Sequence, residues 1–530
     1  MTMSDWELLQ SPQLPASALA LVLTFVAIRY LLSWSAGRRN LPVATVEDND
    51  WKATLQKATS QYPDEPFILP SFPPRIILPN RVMDEVRKLP EDKLSLRKEV
   101  YHKLHGKYTD LGEDHPVGIA AIRTDLTNNI GRMLPEMQDE AIFALKYQIG
   151  RAPKWTQVSL YEKFLTLSAL TNGRMFVGLP LSRNPEWIQM SIKYTIDMVE
   201  VIKAVNGTKP MLRPFQAPFL PAIKSLEEDK RRGAQILKPY IEAVLQARNS
   251  SDGEEQLASN QYNLISWMLN QMDTKRNVDF QLLANEQLFA GFGSIHNTCI
   301  TVINILFDLA AHPQYIPGLR EEIEEVLATE PGHIIRKISL PKLRKLDSLL
   351  RESQRMSPAS MTSLQRLVTA TNGIKLSTGH TIPYGASIGF MHPMAPWIHP
   401  PSNLKTPLDY VPGQPPLDTF YPFRYSEIRA ISGQENAHQF VQTGQDNINF
   451  SHGPMACPGR FFAGAEVKCI IIEILRRYDV ALGPNCEGEG DPNGLKRPKN
   501  IVHANLQCLP DFTKPIYFKE LPQVVPVTAK

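Results

Sequence analysis

The stretch 450–463, Phe-Ser-His-Gly-Pro-Met-Ala-Cys-Pro-Gly-Arg-Phe-Phe-Ala, constrains this chain more than any other. Cys457 ends a loop that contains Gly453 and Pro454. Pro458 follows, and proline suits the first turn of a helix because no N–H is needed there. Ile470, Ile471, Ile474 and Leu475 then share one helical face. The expected result is a cysteine held just before a helix N-terminus, where free N–H groups and the positive dipole end favour a thiolate. Gly453 and Gly459 allow something flat or bulky to approach the backbone. A thiolate so placed suits a soft metal centre such as haem iron. A buried structural cysteine in a turn is the plainer alternative.

The other cysteines are Cys299, Cys469, Cys486 and Cys508. An odd total without paired spacing speaks against a disulfide framework, and no Cys-x-x-Cys pair suggests zinc. A net charge of +3 is too mild for a dedicated nucleic-acid binder. Prolines (44) outnumber glycines (29) without forming repeats, so they read as rigid turns and long ordered connections.

Residues 14–34 are apolar except for Arg29 and long enough to cross a bilayer as a helix. Asp5 and Glu7 precede the run, and Arg38 and Arg39 follow it, which places the C-terminal side in the cytosol. A cleaved signal is the alternative; the basic leading segment it needs is missing. The expected organisation is a lumenal N-terminus at 1–13, a transmembrane anchor at 14–34, a polar linker at 35–62, a catalytic domain at 63–520 and a tail at 521–530. Endoplasmic reticulum is the expected location.

Apolar spacing at three and four residues predicts helices near 81–88, 119–148, 158–172, 185–204, 223–247, 258–271, 280–311, 317–327, 341–356 and 458–478. An edge strand is expected at 74–78, and short β runs at 362–369, 374–376 and 387–390. The fold class is therefore mainly α with a small β portion. Glu352 and Arg355 fall on one helical face among Leu346, Leu349, Leu350 and Met356, so they read as a partly buried pair. A buried pair needs further partners, and Arg424 is available downstream.

Phe450, Gly453, Cys457, Gly459 and Ala463 match the Phe-x-x-Gly-x-x-x-Cys-x-Gly haem loop. The chain resembles the cytochrome P450 family in its fungal microsomal branch. That resemblance implies the cytochrome P450 fold behind a single transmembrane helix, and haem b with Cys457 as axial thiolate. Phe450 would pack beside the ligand, with Gly453 and Gly459 completing the loop. Glu352, Arg355 and Arg424 would lock the segment behind the haem and be structural. Arg366 and Arg123 would meet haem propionates. Met455 departs from the Arg or His usual two residues before the cysteine, and Ile119 replaces the tryptophan usual four residues before Arg123.

Gly291 and Gly293 lie inside an apolar helix at a cost of about 1 kcal/mol each. By the same resemblance this is the helix over the oxygen-binding face, and His296, Asn297 and Thr298 are the catalytic candidates. Asn297 stands where many relatives carry threonine. Thr298 is one residue along, a rotation of about 100°. His296 titrates near neutrality and could relay a proton.

Leu111, Val201, Met211, Phe215, Phe219, Phe289, Phe292, Ala359 and Met361 fall in segments that contact substrate in this family, and they imply a hydrophobic one. A terpenoid, an indole diterpene or a polyketide–peptide hybrid fits. The chain carries no flavin or nicotinamide loop. Electrons would come from an NADPH-cytochrome P450 reductase, with cytochrome b5 as a further donor. Lys342, Arg344, Lys345, Arg460, Lys468, Arg476 and Arg477 are the expected basic docking face. The implied activity is a haem-thiolate monooxygenase of secondary metabolism. Oxidative rearrangement, such as ring expansion or desaturation, is one alternative, and a haem-binding carrier or sensor without turnover is another.

Overall fold

The computed structural model describes residues 41–249, 262–272, 278–483 and 496–522. The anchor expected at 14–34, Cys486 and most of the tail lie outside them. Within the segment read as a linker, Asp50 caps a helix, α1 (Trp51–Gln61), accepting from the N–H groups of Lys52 and Ala53. Trp51, Leu55 and Ala58 recur at helical spacing and cluster with Trp397 and Leu506. The linker reading therefore fails for this stretch, because a sparse apolar face has distant partners to pack on.

After β1 (Phe67–Leu69) and β2 (Arg75–Leu78) come β3 (Leu94–Ser95) and α2 (Leu96–Lys103). The helix expected from 119 begins at Pro116: α3 (Pro116–Ala121) passes through a π turn at Ile122–Leu126 into α4 (Thr127–Gln148). Next are β4 (Thr156–Val158), α5 (Leu160–Phe176), α6 (Pro185–Gly207) and α7 (Pro221–Asn249). The helix expected at 258–271 is described only over Leu264–Asn270.

α8 (Phe280–Ala311) starts at Asp279, whose carboxylate accepts from Leu282 N–H at 3.0 Å. It is long and apolar enough to cross a membrane, yet 67% of its most apolar window is buried inside the fold. Its neighbours α5, α6, α7 and α11 explain that composition: it is the central core helix. α9 (Ile316–Ala328) and α10 (Arg344–Met356) follow, then β5 (Thr362–Val368) and β6 (Ser387–Met391). The chain ends its described course with α11 (Arg460–Arg477), β7 (Tyr478–Ala481) and β8 (Ile516–Glu520).

The main sheet has the order β1-β2-β6-β5-β3. β2 runs parallel to β6 and antiparallel to β1, so it is an interior strand and not the expected edge. Pro74 lies just outside it, where its missing N–H costs no ladder bond. A second sheet has the order β4-β8-β7.

Candidate active site

The cysteine loop is closed by its own backbone. Cys457 N–H donates to Phe450 O at 2.9 Å, and Ala456 N–H to Gly453 O at 3.0 Å. Gly453 has φ +84°, a left-handed conformation that disfavours side chains. Phe450 stands edge-on to Phe440, with centroids 5.3 Å apart. Gly459 is the N-cap of α11, and Arg460 Nη1 donates to Cys457 O at 2.8 Å. Cys457 is exposed, whereas Cys299, Cys469 and Cys508 are buried. Crowding by the loop pushes its thiol up; the N–H groups of Gly459 and Arg460 and the Arg460 charge oppose that.

This is the donor set for a metal that needs one soft ligand. No group of three or more His, Cys, Asp or Glu could hold a bare ion among the described residues. An iron already held by four porphyrin nitrogens needs only the one thiolate. A Cβ at Gly459 would stand 3.9 Å from Ile122, so the π turn that carries Arg123 borders the same loop. The residues present therefore fit a haem.

Behind the loop sits an ionic network. Glu352 is completely buried and grips Arg355 through both oxygens at 2.8 Å. Its Oε1 also accepts from Arg424 Nε at 3.1 Å and Tyr421 N–H at 3.0 Å. Arg355 donates on to Met394 O and Leu417 O, and Arg424 to Pro415 O, Pro416 O and Thr419 O. Burial would raise the Glu352 carboxyl, but Arg355 and Arg424 outweigh it and hold it below its ordinary value. The network thus ties α10 to the long connection that precedes the cysteine loop. Asp347 adds a second tie, accepting from Arg429 at 3.1 Å, Lys468 at 2.6 Å and Phe440 N–H at 3.0 Å.

Arg366 is 6% exposed, and among the described residues it donates only to Gln365 O, at 2.8 Å. Burial pushes its guanidinium down to about 10. Ser363 Oγ, on the same strand, donates to Ile448 O at 2.5 Å, which joins β5 to the cysteine loop. Arg123 is exposed on its π turn.

The three candidates on α8 are not brought together. Thr298 is buried, and its Oγ1 donates to Glu466 Oε2 at 2.9 Å, away from any open face. His296 lies 3.4 Å from the Tyr161 hydroxyl through Nδ1, and its Nε2 is buried without a partner among the described residues. Burial pushes His296 down to about 4, so at neutral pH it is uncharged. Asn297 is exposed, as is Gly293 one turn earlier, and Asn297 Nδ2 donates to Gly293 O at 2.8 Å. Thr298 thus turns toward Glu466 and His296 toward Tyr161, while Asn297 is the exposed one of the three.

Glu466 escaped the sequence reading. It is fully buried on α11, accepts from Thr171 at 2.5 Å and from Thr298, and is pushed up to about 7 by burial. The signal was a carboxylate one turn before Ile470 on the isoleucine face.

Two other expectations need correction. Met211, Phe215 and Phe219 are exposed, at 88%, 74% and 74%, while Leu111, Val201 and Met361 are core. Lys468 and Arg476 are buried in ion pairs with Asp347 and Glu324, and Arg477 pairs with Glu473, so they do not form a free basic face.

A thiol presented at a helix head, backed by a buried Glu-Arg-Arg lock, defines a haem-thiolate protein. Residues 186–503 match the family described as Cytochrome P450. Cytochrome P450 monooxygenase ascG of Acremonium egyptiacum is 37% identical over 506 residues, covering 93% of both chains. Cytochrome P450 monooxygenase 3 of Gibberella fujikuroi is 36% identical, covering 86% of this chain and 87% of its own. Cytochrome P450 monooxygenase gliF of Aspergillus fumigatus is 35% identical, covering 89% and 90%. The chain belongs to the cytochrome P450 family; it is a P450 monooxygenase with a haem-thiolate cofactor.

Proposed function

We propose that this protein is a membrane-anchored monooxygenase of fungal secondary metabolism, with Cys457 as the thiolate that would hold the haem iron and a hydrophobic substrate. The carrying observation is the exposed Cys457 thiol at the head of α11. Phe450, Gly453 and Gly459 shape its loop, and Arg366 and Arg123 are the propionate contacts. Held there by the Cys457 thiolate, a haem would supply oxygen activation.

Asn297 is the polar side chain of the oxygen groove. One of its N–H bonds holds Gly293 O, which leaves Oδ1 and the second N–H free to orient water. A neutral His296 leaning on Tyr161 supports the helix and carries no charge into the groove. Because Asn297 offers no hydroxyl, the proton path is altered. That observation favours a second reading, oxidative rearrangement such as ring expansion or desaturation.

Electrons come from an NADPH-cytochrome P450 reductase, and cytochrome b5 can assist. The exposed run Met211, Leu212, Phe215 and Phe219 supports a surface resting on the bilayer beside an anchor at 14–34. A terpenoid, indole diterpene or polyketide–peptide hybrid suits the half-buried aromatic side chains of Phe289 and Phe292 on α8.

The reduced, carbonyl-bound spectrum tests the ligand. Wild type is expected to give the thiolate-type band and Cys457→Ser to lose it; a band that survives overturns the assignment. Isotope from labelled O2 in the product supports oxygen insertion, and an unlabelled product supports rearrangement.

A further inference from the structure

We propose that His115 is a positioning residue. Held as an imidazolium between Glu286 and the Asp110 carbonyl, it clamps the segment before α3 onto α8 and fixes the Phe289 ring, so that affinity for a hydrophobic substrate falls when the imidazole loses its proton. The link to substrate rests on the reading above, in which Phe289 meets it.

The clamp follows from what faces each ring nitrogen. His115 directly precedes α3 and is 8% exposed. Its Nε2 lies 3.2 Å from Asp110 O, and its Nδ1 lies 3.4 Å from Glu286 Oε1. A carbonyl and a carboxylate only accept. Both nitrogens must therefore carry hydrogen, which only the imidazolium does. A neutral ring leaves one enclosed acceptor facing a lone pair.

Glu286 depends on that proton. It is completely buried, and its Oε2 accepts from Gly118 N–H at 3.0 Å. A Cβ at Gly118 would come within 2.5 Å of that oxygen, so the α3 backbone lies directly on the carboxylate. Oε1 has no hydrogen bond among the described residues, and His115 is the cation beside it. Glu99 shows the contrast: also buried, it accepts from Arg75 Nη2 at 2.9 Å and Ser387 Oγ at 2.6 Å, and arginine keeps its charge at any working pH.

The imidazole also lies flat on Phe289, with centroids 4.2 Å apart and planes 8° from parallel. Positive charge strengthens such a stack. Glu286 and Phe289 are three residues apart on α8, so one helical face carries both the anion and the ring. Burial would lower the imidazole, but Glu286 and Asp110 outweigh it and hold it above its ordinary value. The remaining charges nearby are spent on one another. Lys230 of α7 holds Asp110 at 2.6 Å and Glu227 at 2.8 Å, and Arg97 of α2 holds Asp114 at 3.2 Å. Tyr194 of α6 is kept protonated by burial, and the helix Leu264–Asn270 beside α3 has no titratable side chain.

The test uses the purified full-length holoenzyme, with cyclohexyl isocyanide as a bulky neutral probe and methyl isocyanide as a small one. Affinity is read from the spectral shift of the haem between about pH 6 and about pH 9. Wild type should bind the cyclohexyl probe about fivefold more weakly at the alkaline end, with methyl isocyanide level throughout. In Glu286→Gln the amide donates to a neutral Nδ1, so the clamp stays closed: affinity should match wild type at low pH and lose its pH dependence. His115→Leu should be level at the weaker affinity. Thermal unfolding gives a second readout. A proton held more tightly in the folded state stabilises below the folded value, so wild type should lose stability relative to Glu286→Gln as pH rises above about 6.5. Stability curves that run parallel in the two proteins overturn the clamp. A cyclohexyl affinity that is level in wild type, or a pH dependence shared equally by methyl isocyanide, overturns the positioning of Phe289. A wild type without the thiolate-type carbonyl band overturns the haem reading instead, and the unfolding series still decides the clamp.

Discussion

The Glu352 network and the groove of α8 both hang polar side chains on core helices, yet they spend them differently. Glu352, Arg355 and Arg424 bond outward to other elements and are sealed from solvent. Ser294, Asn297 and Thr301 bond back to carbonyls of their own helix, at Ala290, Gly293 and Asn297. The first arrangement fixes the fold around the cysteine loop. The second satisfies the helix locally and keeps one face free to meet ligands. A removal in the network should therefore be felt as stability, and a removal in the groove as chemistry.

Glu352→Gln is the strongest way to break that contrast. It leaves Arg424 buried without its carboxylate, which costs about 3–5 kcal/mol. Thermal unfolding should show the drop, together with poor recovery of haem-bound protein. A variant with an unchanged midpoint would mean that the network is ornamental.

Asn297→Ala sharpens the other side. The midpoint of unfolding should stay within about 0.5 kcal/mol of wild type. Product formed per NADPH consumed should fall by about tenfold, and Asn297→Thr should restore or raise it. A loss of stability instead would place Asn297 with the structural group.

Glu466 stands between the two regions, and its effect is confined to how stability changes with pH. Its folded-state pKa of about 7 lies above the unfolded value near 4.3. The native state therefore holds the extra proton between those values, and stability declines as pH rises from about 4.3 to 7, then levels. Glu466→Gln removes that slope. The variant should match wild type near pH 5 and exceed it by about 1–3 kcal/mol near pH 8 in denaturant unfolding. Parallel pH curves would show that Glu466 is not a strained carboxyl.

Much of this was legible in the residues. The apolar period of α8, α10 and α11 is long and strong, and Cys457 with its flanking glycines announced a loop before a helix. Glu352 and Arg355 read as buried because leucines surround them. α1 was not legible, since Trp51, Leu55 and Ala58 make a face only when Trp397 and Leu506, far along the chain, complete it. The roles of His296, Asn297 and Thr298 were equally hidden. Three neighbours on one helix point in three directions, and only the positions of Tyr161 and Glu466 reveal which one stays open. Phe215 and Phe219 misled because hydrophobicity alone does not say which side of a wall a residue occupies.

Gly389 sits in the middle of β6, and a Cβ there would approach Arg75 Cδ to 2.9 Å. Any substitution displaces the arginine that keeps Glu99 occupied, although position 389 touches no reacting atom. In a saturation mutagenesis screen scored by turnover, this glycine would masquerade as part of the catalytic centre. Scoring the same library for pigment content would unmask it as a spacer on which the anion balance of the sheet depends.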